Sequence, residues 1–264
     1  HGYCAIVVPV RTADGTVAAL KVGWPHEEAE HEHLALRDWK GRGAVRLLRA
    51  DPARSTLLLE RLHTTDLTSV DVAGACQIVA GLYRRLHISA PAPLMRLSGN
   101  AARWSAELLA LPRSAPVPRR YVEQAAALAR DFAVDPGTDG VLIHGDLHYD
   151  NVLAADREPW LAIDPKPMSG DPTFEVAPLL WNRWNEVVGS GNARSAVRER
   201  FRTVVDAAEF DEDRARDWIV VRELVNVLWT LKDVAAAETG YRQMSAADSD
   251  WITTALTIVK AVQD

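Results

Sequence analysis

The chain is short of the residues that build covalent staples and membrane spans. Its two cysteines, Cys4 and Cys76, form no Cys-x-x-Cys pair and are too few for a disulfide framework, which suits a reducing, cytoplasmic setting. No run of 18 or more apolar residues occurs, so no segment is expected to span a membrane. The N-terminus lacks the layout of a signal peptide: His1 leads directly into the strand-like run Tyr3 to Val10. That abrupt start carries the expectation that further residues precede His1. Lysine is scarce, five against 25 arginines, so any lysine inside an apolar segment calls for an explanation.

What is present fits an ordered globular chain. At 264 residues, with 48% hydrophobic and 25% charged residues, it can fill a core in one large domain or two lobes. The net charge of −6 is unevenly spread. Residues 1–62 hold nine Lys/Arg against eight Asp/Glu, and the remainder carries −7. An acidic second part disfavours nucleic acid and attracts a cationic ligand, although merely solvated acidic helices give the same balance.

The first 60 residues read as strands around one helix. Runs at 3–10 and 17–22 flank Thr12 to Thr16, whose Asp14-Gly15 pair signals a hairpin. A helix is predicted over His26 to Trp39, then strands at Val45 to Leu48 and Ser55 to Leu59. Beyond Leu62 the spacing becomes helical, over 71–87 and near 100–110 and 118–133. Short strands follow at 141–143, 152–154 and 160–163. Four helices are predicted after Phe174, at about 174–188, 193–208, 213–237 and 249–262. The outline is α+β, with a small β-rich N-lobe (1–62) and a larger helical C-lobe (63–264).

The segment richest in chemistry is Val141-Leu-Ile-His-Gly-Asp-Leu-His-Tyr-Asp-Asn-Val-Leu153, followed by Leu161-Ala-Ile-Asp164. Apolar strands flank a polar loop, so His144, Asp146 and Asn151 fall where strands hand over to a loop. Phosphoryl transfer needs a carboxylate to orient the attacking hydroxyl and oxygen ligands to hold Mg²⁺ on the phosphates. Asp146 can supply the first, Asn151 and Asp164 the second. Upstream, Lys21 sits in the apolar run Ala18 to Val22 and needs an anionic partner if it is buried. ATP phosphates and a helix glutamate would serve; among Glu27, Glu28, Glu30 and Glu32, the choice is Glu32. A solvent-facing lysine on an edge strand is the plainer alternative.

The run His-Gly-Asp-Leu-His-x-x-Asn-Val-Leu resembles the catalytic loop of the aminoglycoside phosphotransferases, a branch of the protein-kinase-like fold. Ala19-Leu-Lys21, the hinge-like Leu57 to Leu62 and Ile163-Asp164 follow in that family's order, so the resemblance covers essentially the whole chain. It implies a two-lobe kinase-like fold with Asp146 as catalytic base, Asn151 and Asp164 as Mg²⁺ ligands and Lys21 on the ATP phosphates. It also implies adenine bonding to backbone near Glu60 to Leu62. Asp164-Pro-Lys-Pro167 followed by Gly170-Asp-Pro172 is similar to the streptomycin 6-phosphotransferase and hydroxyurea-kinase-like branch. That implies an ATP-dependent kinase that phosphorylates a hydroxyl of a cationic aminoglycoside, streptomycin first, and so confers resistance; a monomer is the default. No glycine-rich phosphate loop precedes Lys21, and residues 3–22 look like the family's second and third strands, so that loop is expected ahead of His1.

Other residues keep two readings. His144, Asp146 and His148 spell His-x-Asp-x-His, the pattern of a metal-dependent hydrolase, whereas a bracing role for His144 and His148 fits the kinase reading. A catalytically dead kinase-like binder is a third reading, with base and metal ligands present against it. In kinase-like folds an acid at Glu175 caps the catalytic loop. Lys166 stands where a glycine is common and either touches a phosphate or pairs with Glu175. Asp150 and Asp171 are loop caps or substrate contacts. Trp181 and Trp184, with Trp218 and Trp229, are core packing or the wall of an aminocyclitol pocket. Glu186, Glu223 and Asp233 are guanidinium partners or solvated helix positions.

Overall fold

The computed structural model describes residues 5–24, 30–236 and 244–264. The expectations for Cys4, for the helix start at His26, for Glu27 and Glu28 and for the helix end at residue 237 lie outside them. The chain forms two compact units, one of residues 1–95 and 141–169, the other of residues 96–140 and 170–264.

In the first unit, β1 (Ala5–Arg11) and β2 (Val17–Gly23) pair antiparallel from Ala5↔Gly23 to Arg11↔Val17. The turn closes as expected of Asp-Gly: the Gly15 N–H donates to the Thr12 carbonyl at 2.9 Å and Gly15 takes φ +90°. With β3 (Leu47–Asp51) and β4 (Thr56–Glu60), the sheet runs β1-β2-β4-β3. Lys21 therefore lies on an inner strand, paired with Val7 on one side and Leu57 on the other. Helix α1 spans Glu32–Trp39, and α2 spans Val72–Leu86 behind an Asp71 side chain that accepts from the Gly74 N–H. Further on come β5 (Ile88–Ser89), β6 (Met95–Arg96), β7 (Val141–Ile143), β8 (Val152–Ala154), β9 (Trp160–Ala162) and β10 (Met168–Gly170). β8 and β9 form a hairpin; the others form a sheet in the order β5-β7-β10-β6.

Three expected elements differ, each for a local reason. The helix predicted from His26 begins at Glu32 among the described residues, because Glu30 and His31 form a turn. The strand placed at Val45 to Leu48 shifts to Leu47–Asp51. The Val45 N–H donates to the Ala162 carbonyl at 2.8 Å, and the Arg46 N–H to the Glu60 carboxylate at 2.6 Å, so these residues belong to other partners. The continuous helix predicted over 174–188 is a 3-10 turn (Pro172–Val176), then α5 (Ala177–Trp181) and α6 (Trp184–Gly189). Between the two helices Arg183 has φ +56°. The buried Arg200 guanidinium takes the Leu179 and Asn182 carbonyls at 3.0 and 2.6 Å, which a continuous helix would need for its own N–H groups.

The second unit also holds α3 (Leu97–Ala110), α4 (Arg119–Val134), α7 (Ala193–Ala208), α8 (Glu212–Ala236) and α9 (Ala246–Gln263). Leu108, Val122, Leu224, Leu228 and Val259 pack from α3, α4, α8 and α9 into one apolar cluster. Beside it Trp218 stacks on Phe132 at 3.9 Å and donates its indole N–H to Asp171 at 2.8 Å. Asp171 also accepts from the Thr173 N–H at 3.0 Å and pairs with Arg214, so this buried acid is a cap with every role internal. Glu223, expected on a solvated face or at a ligand, is fully buried, and burial pushes its carboxyl well above the usual range.

Candidate active site

β7 delivers the chain into His144-Gly145-Asp146, and this turn interlocks with Lys166. The Lys166 N–H donates to the His144 carbonyl at 2.8 Å, and Gly145, at φ +81°, lies so close that a Cβ there would sit 2.2 Å from the Lys166 carbonyl oxygen. His144 is fully buried, its ring stacked 6.1 Å from that of Trp39. Its Nε2 faces the Ile163 carbonyl at 2.9 Å and must donate. Its Nδ1 is then the acceptor for the Asp146 N–H at 3.3 Å. One ring thus ties the loop to the residue before Asp164.

Asn151 completes the frame. Its Nδ2 donates to the Asp146 carbonyl at 2.8 Å and lies 3.1 Å from His148 Nε2, while its own carbonyl accepts from the Ile163 N–H at 2.9 Å. A carbonyl can only accept, so the amide orientation is fixed and Oδ1 is left as the oxygen donor. Asp146, Asn151 and Asp164 are thereby held by one backbone network. Asp164 adopts φ +57° just ahead of Pro165, a sparsely populated conformation of the kind that clusters at functional sites.

Two lysines meet these acids. Lys21 Nζ lies 2.6 Å from Glu32 and also pairs with Asp164. Lys21 is 8% and Glu32 4% exposed, which removes the solvent-facing alternative for Lys21. Burial alone would pull the Lys21 ammonium down, but the carboxylates of Glu32 and Asp164 outweigh it and the net shift is upward. With one ammonium shared by two acids, burial lifts Glu32 despite Lys21, whereas for Asp164 Lys21 overcomes burial and holds the carboxyl below its ordinary range. Lys166 Nζ donates to Asp146 Oδ2 at 2.7 Å, a partner that neither sequence alternative names.

The Asp164 pairing has a pH signature. A carboxyl lowered on folding contributes stability that is complete above its unfolded value of about 3.9 and is lost as pH falls through the folded value. Because Asp164 is nearly half exposed, the contribution should stay within about 1 kcal/mol. Urea unfolding of wild type and Asp164→Asn should show a gap at about pH 7 that is smaller at about pH 3. A gap of equal size at both pH values refutes the Lys21–Asp164 pair.

Glu60 receives the Arg157 guanidinium at 2.6 Å and the Arg46 N–H, so its carboxylate is a strut inside the first unit, with Leu62 half-buried just beyond β4. Glu60 in turn raises Arg157 above its ordinary value. Asp150 is exposed, 3.3 Å from His148 Nδ1. In the second unit Trp181 and Trp184 are half-buried, Glu186 pairs with Arg183 at 2.7 Å and Glu175 is buried. The Arg222 guanidinium lies over Phe174, Trp181 and Trp229 at 5.2, 5.8 and 5.0 Å, a cation–π cluster unseen in the sequence.

The hydrolase arrangement does not form. Both ring nitrogens of His144 serve the backbone, and among the described residues no group of three His, Cys, Asp or Glu side chains is placed to hold a metal. No described helix is long and apolar enough to cross a membrane.

A strand-bound lysine paired with a helix glutamate and with the aspartate that follows an Asp146–Asn151 loop is the arrangement of a phosphotransferase of the protein-kinase-like class. An amicoumacin kinase solved with AMP-PNP and Ca²⁺ shares this fold at a TM-score of 0.65 and 12% identity, over 98% of this chain and 86% of that one. The chain belongs to the aminoglycoside/hydroxyurea antibiotic resistance kinase family, whose sequence model matches residues 1–234. A streptomycin 6-kinase of Streptomyces glaucescens is 42% identical over 244 residues, 89% of this chain and 78% of that protein. A hydroxyurea phosphotransferase of Kitasatospora aureofaciens is 43% identical over 243 residues, 88% and 68% of the two chains.

Proposed function

We propose that this chain transfers the γ-phosphoryl group of ATP to the 6-hydroxyl of streptomycin, inactivating the antibiotic. The observation that carries the reading is the joint presence, in one unit, of the Lys21–Glu32–Asp164 cluster and the Asp146–Asn151 loop. The streptomycin 6-kinase similarity supports the substrate, and the −7 charge of residues 63–264 suits a substrate with two guanidinium groups.

In this reading Asp146 orients the acceptor hydroxyl and takes its proton. Lys21, braced by Glu32, holds ATP phosphates, and backbone between Glu60 and Leu62 holds adenine. The Asn151 amide oxygen and the Asp164 carboxylate are hard oxygen donors joined through the Ile163–Asn151 bond, the donor chemistry that Mg²⁺ prefers. Bound there, the metal would neutralise charge on the phosphates. His144 sets the loop. Asp150, Trp181, Trp184 and Glu186 are the proposed substrate contacts. A monomeric state and a cytoplasmic location, where ATP is supplied, complete the reading.

The test is ADP release across streptomycin, other aminoglycosides, hydroxyurea and simple amino sugars. Streptomycin should give the highest kcat/KM, with phosphate on its 6-hydroxyl. Turnover of hydroxyurea alone moves the chain to the other arm of its family. No ADP above background with any acceptor overturns the phosphotransferase reading.

A further inference from the structure

Phosphoryl transfer places negative charge on the equatorial oxygens of the moving group and on the departing diphosphate, and cations near those oxygens lower the barrier. The ammonium of Lys21 is already divided between Glu32 and Asp164. The loop residues between Asp146 and Asn151, namely Leu147, His148, Tyr149 and Asp150, include neither lysine nor arginine. Lys166 supplies a cation at the base itself.

Its position is built. Lys166 stands between Pro165 and Pro167, which restrict the backbone on both sides. Its N–H is bonded to the His144 carbonyl and its carbonyl is pressed against Gly145. From this fixed root the side chain reaches Asp146 Oδ2 at 2.7 Å and stays about one third exposed. Lys166 thus puts a cation on the acid assigned as base, two residues beyond the proposed metal ligand Asp164.

An ammonium fixed from a braced root onto the acid assigned as base is placed to act on the reacting groups as well as on that acid. We propose that Lys166 is a second catalytic residue, whose ammonium bridges Asp146 and the γ-phosphoryl oxygens during transfer. The inference rests on the function proposed above. The acceptor oxygen bonds to the γ-phosphorus while the bond from that phosphorus to the β–γ bridging oxygen breaks, its electron pair leaving with ADP. The acceptor proton passes to Asp146, whose charge disappears as charge on the transferring group spreads. Lys166 keeps its own proton, loses its attraction to Asp146 at that moment and gains one to the phosphoryl oxygens. Its interaction is therefore stronger in the transition state than in the ground state, the condition for raising kcat.

Lys166→Met should lower kcat about 10²–10³-fold, the scale of losing one charge-stabilising donor, and leave KM for ATP and streptomycin within about threefold. Lys166→Arg should recover at least about tenfold of that loss, because the charge is kept. A second readout needs no acceptor. By calorimetry, Lys166→Met should bind ADP with magnesium and aluminium fluoride, a mimic of the moving phosphoryl group, about 10²-fold more weakly, and ADP with magnesium alone as wild type does. Equal weakening of both complexes, or kcat within about threefold of wild type, overturns the proposal. Should the Met variant lose its thermal transition, Lys166→Gln, which keeps a polar stem, is read by the same two measurements. A wild type inactive on every acceptor defeats the proposed function, while the fluoride comparison still judges Lys166.

Discussion

Asp146→Asn should lower turnover by about 10²–10⁴-fold, the range lost with a general base, and leave the protein folded. The two outcomes separate because the loop is held by atoms other than the Asp146 carboxylate. Its backbone N–H is anchored on His144 Nδ1 and its carbonyl on the Asn151 amide, and both survive the exchange. The carboxylate is bonded to Lys166, which can still donate to the amide oxygen of an asparagine, so the site keeps its shape. What disappears is the ability to accept the hydroxyl proton. Single-turnover kinetics with streptomycin, beside a thermal melt, would check both halves. A variant retaining more than about a tenth of wild-type kcat sinks the assignment of Asp146 as base.

The sequence is most informative where chemistry and local geometry coincide. The spacing of Asp146, Asn151 and Asp164 around two short strands is visible because a polar loop between apolar strands has few other reasons to exist. Lys21 is conspicuous because a lysine in an apolar strand of a lysine-poor chain needs a counter-ion, and the structure sets it against Glu32 and Asp164. What escapes a sequence reading depends on contacts between residues far apart in the chain. The bond from Arg157 to Glu60 spans 97 positions, and neither residue carries a local signature of the other. Strands β5, β6 and β10, of two or three residues, are too short to show a period of two. The break between α5 and α6 is likewise imposed from a distance, by Arg200 removing carbonyls from a segment whose own spacing favours a continuous helix. Glu223 misleads for the same reason: α8 is covered on so much of its surface that no polar face can be read from its sequence.

Gly145→Ala should be nearly as damaging to turnover as Asp146→Asn, and unlike it should also destabilise the fold. Two penalties coincide at this position. At φ +81° an L side chain is strained, and strain of this type costs on the order of 1–3 kcal/mol. The new Cβ would also lie 2.2 Å from the Lys166 carbonyl oxygen, a backbone atom that no rotamer change can move away. Relief requires parting the two backbone segments, which breaks the bond from the Lys166 N–H to the His144 carbonyl. That bond fixes the root of Lys166 and the residue before Gly145, so Asp146 and its lysine move together. A displacement of about 1 Å at a reacting group costs on the order of 10²-fold in rate, and kcat should fall by at least that much. Lys21 and Glu32 meet through α1 and β2, away from this turn, so ADP binding should change far less than kcat. Calorimetric ADP affinity, kcat and the urea midpoint of Gly145→Ala give the three numbers required. A wild-type midpoint together with wild-type kcat contradicts the view that this close backbone approach positions Asp146.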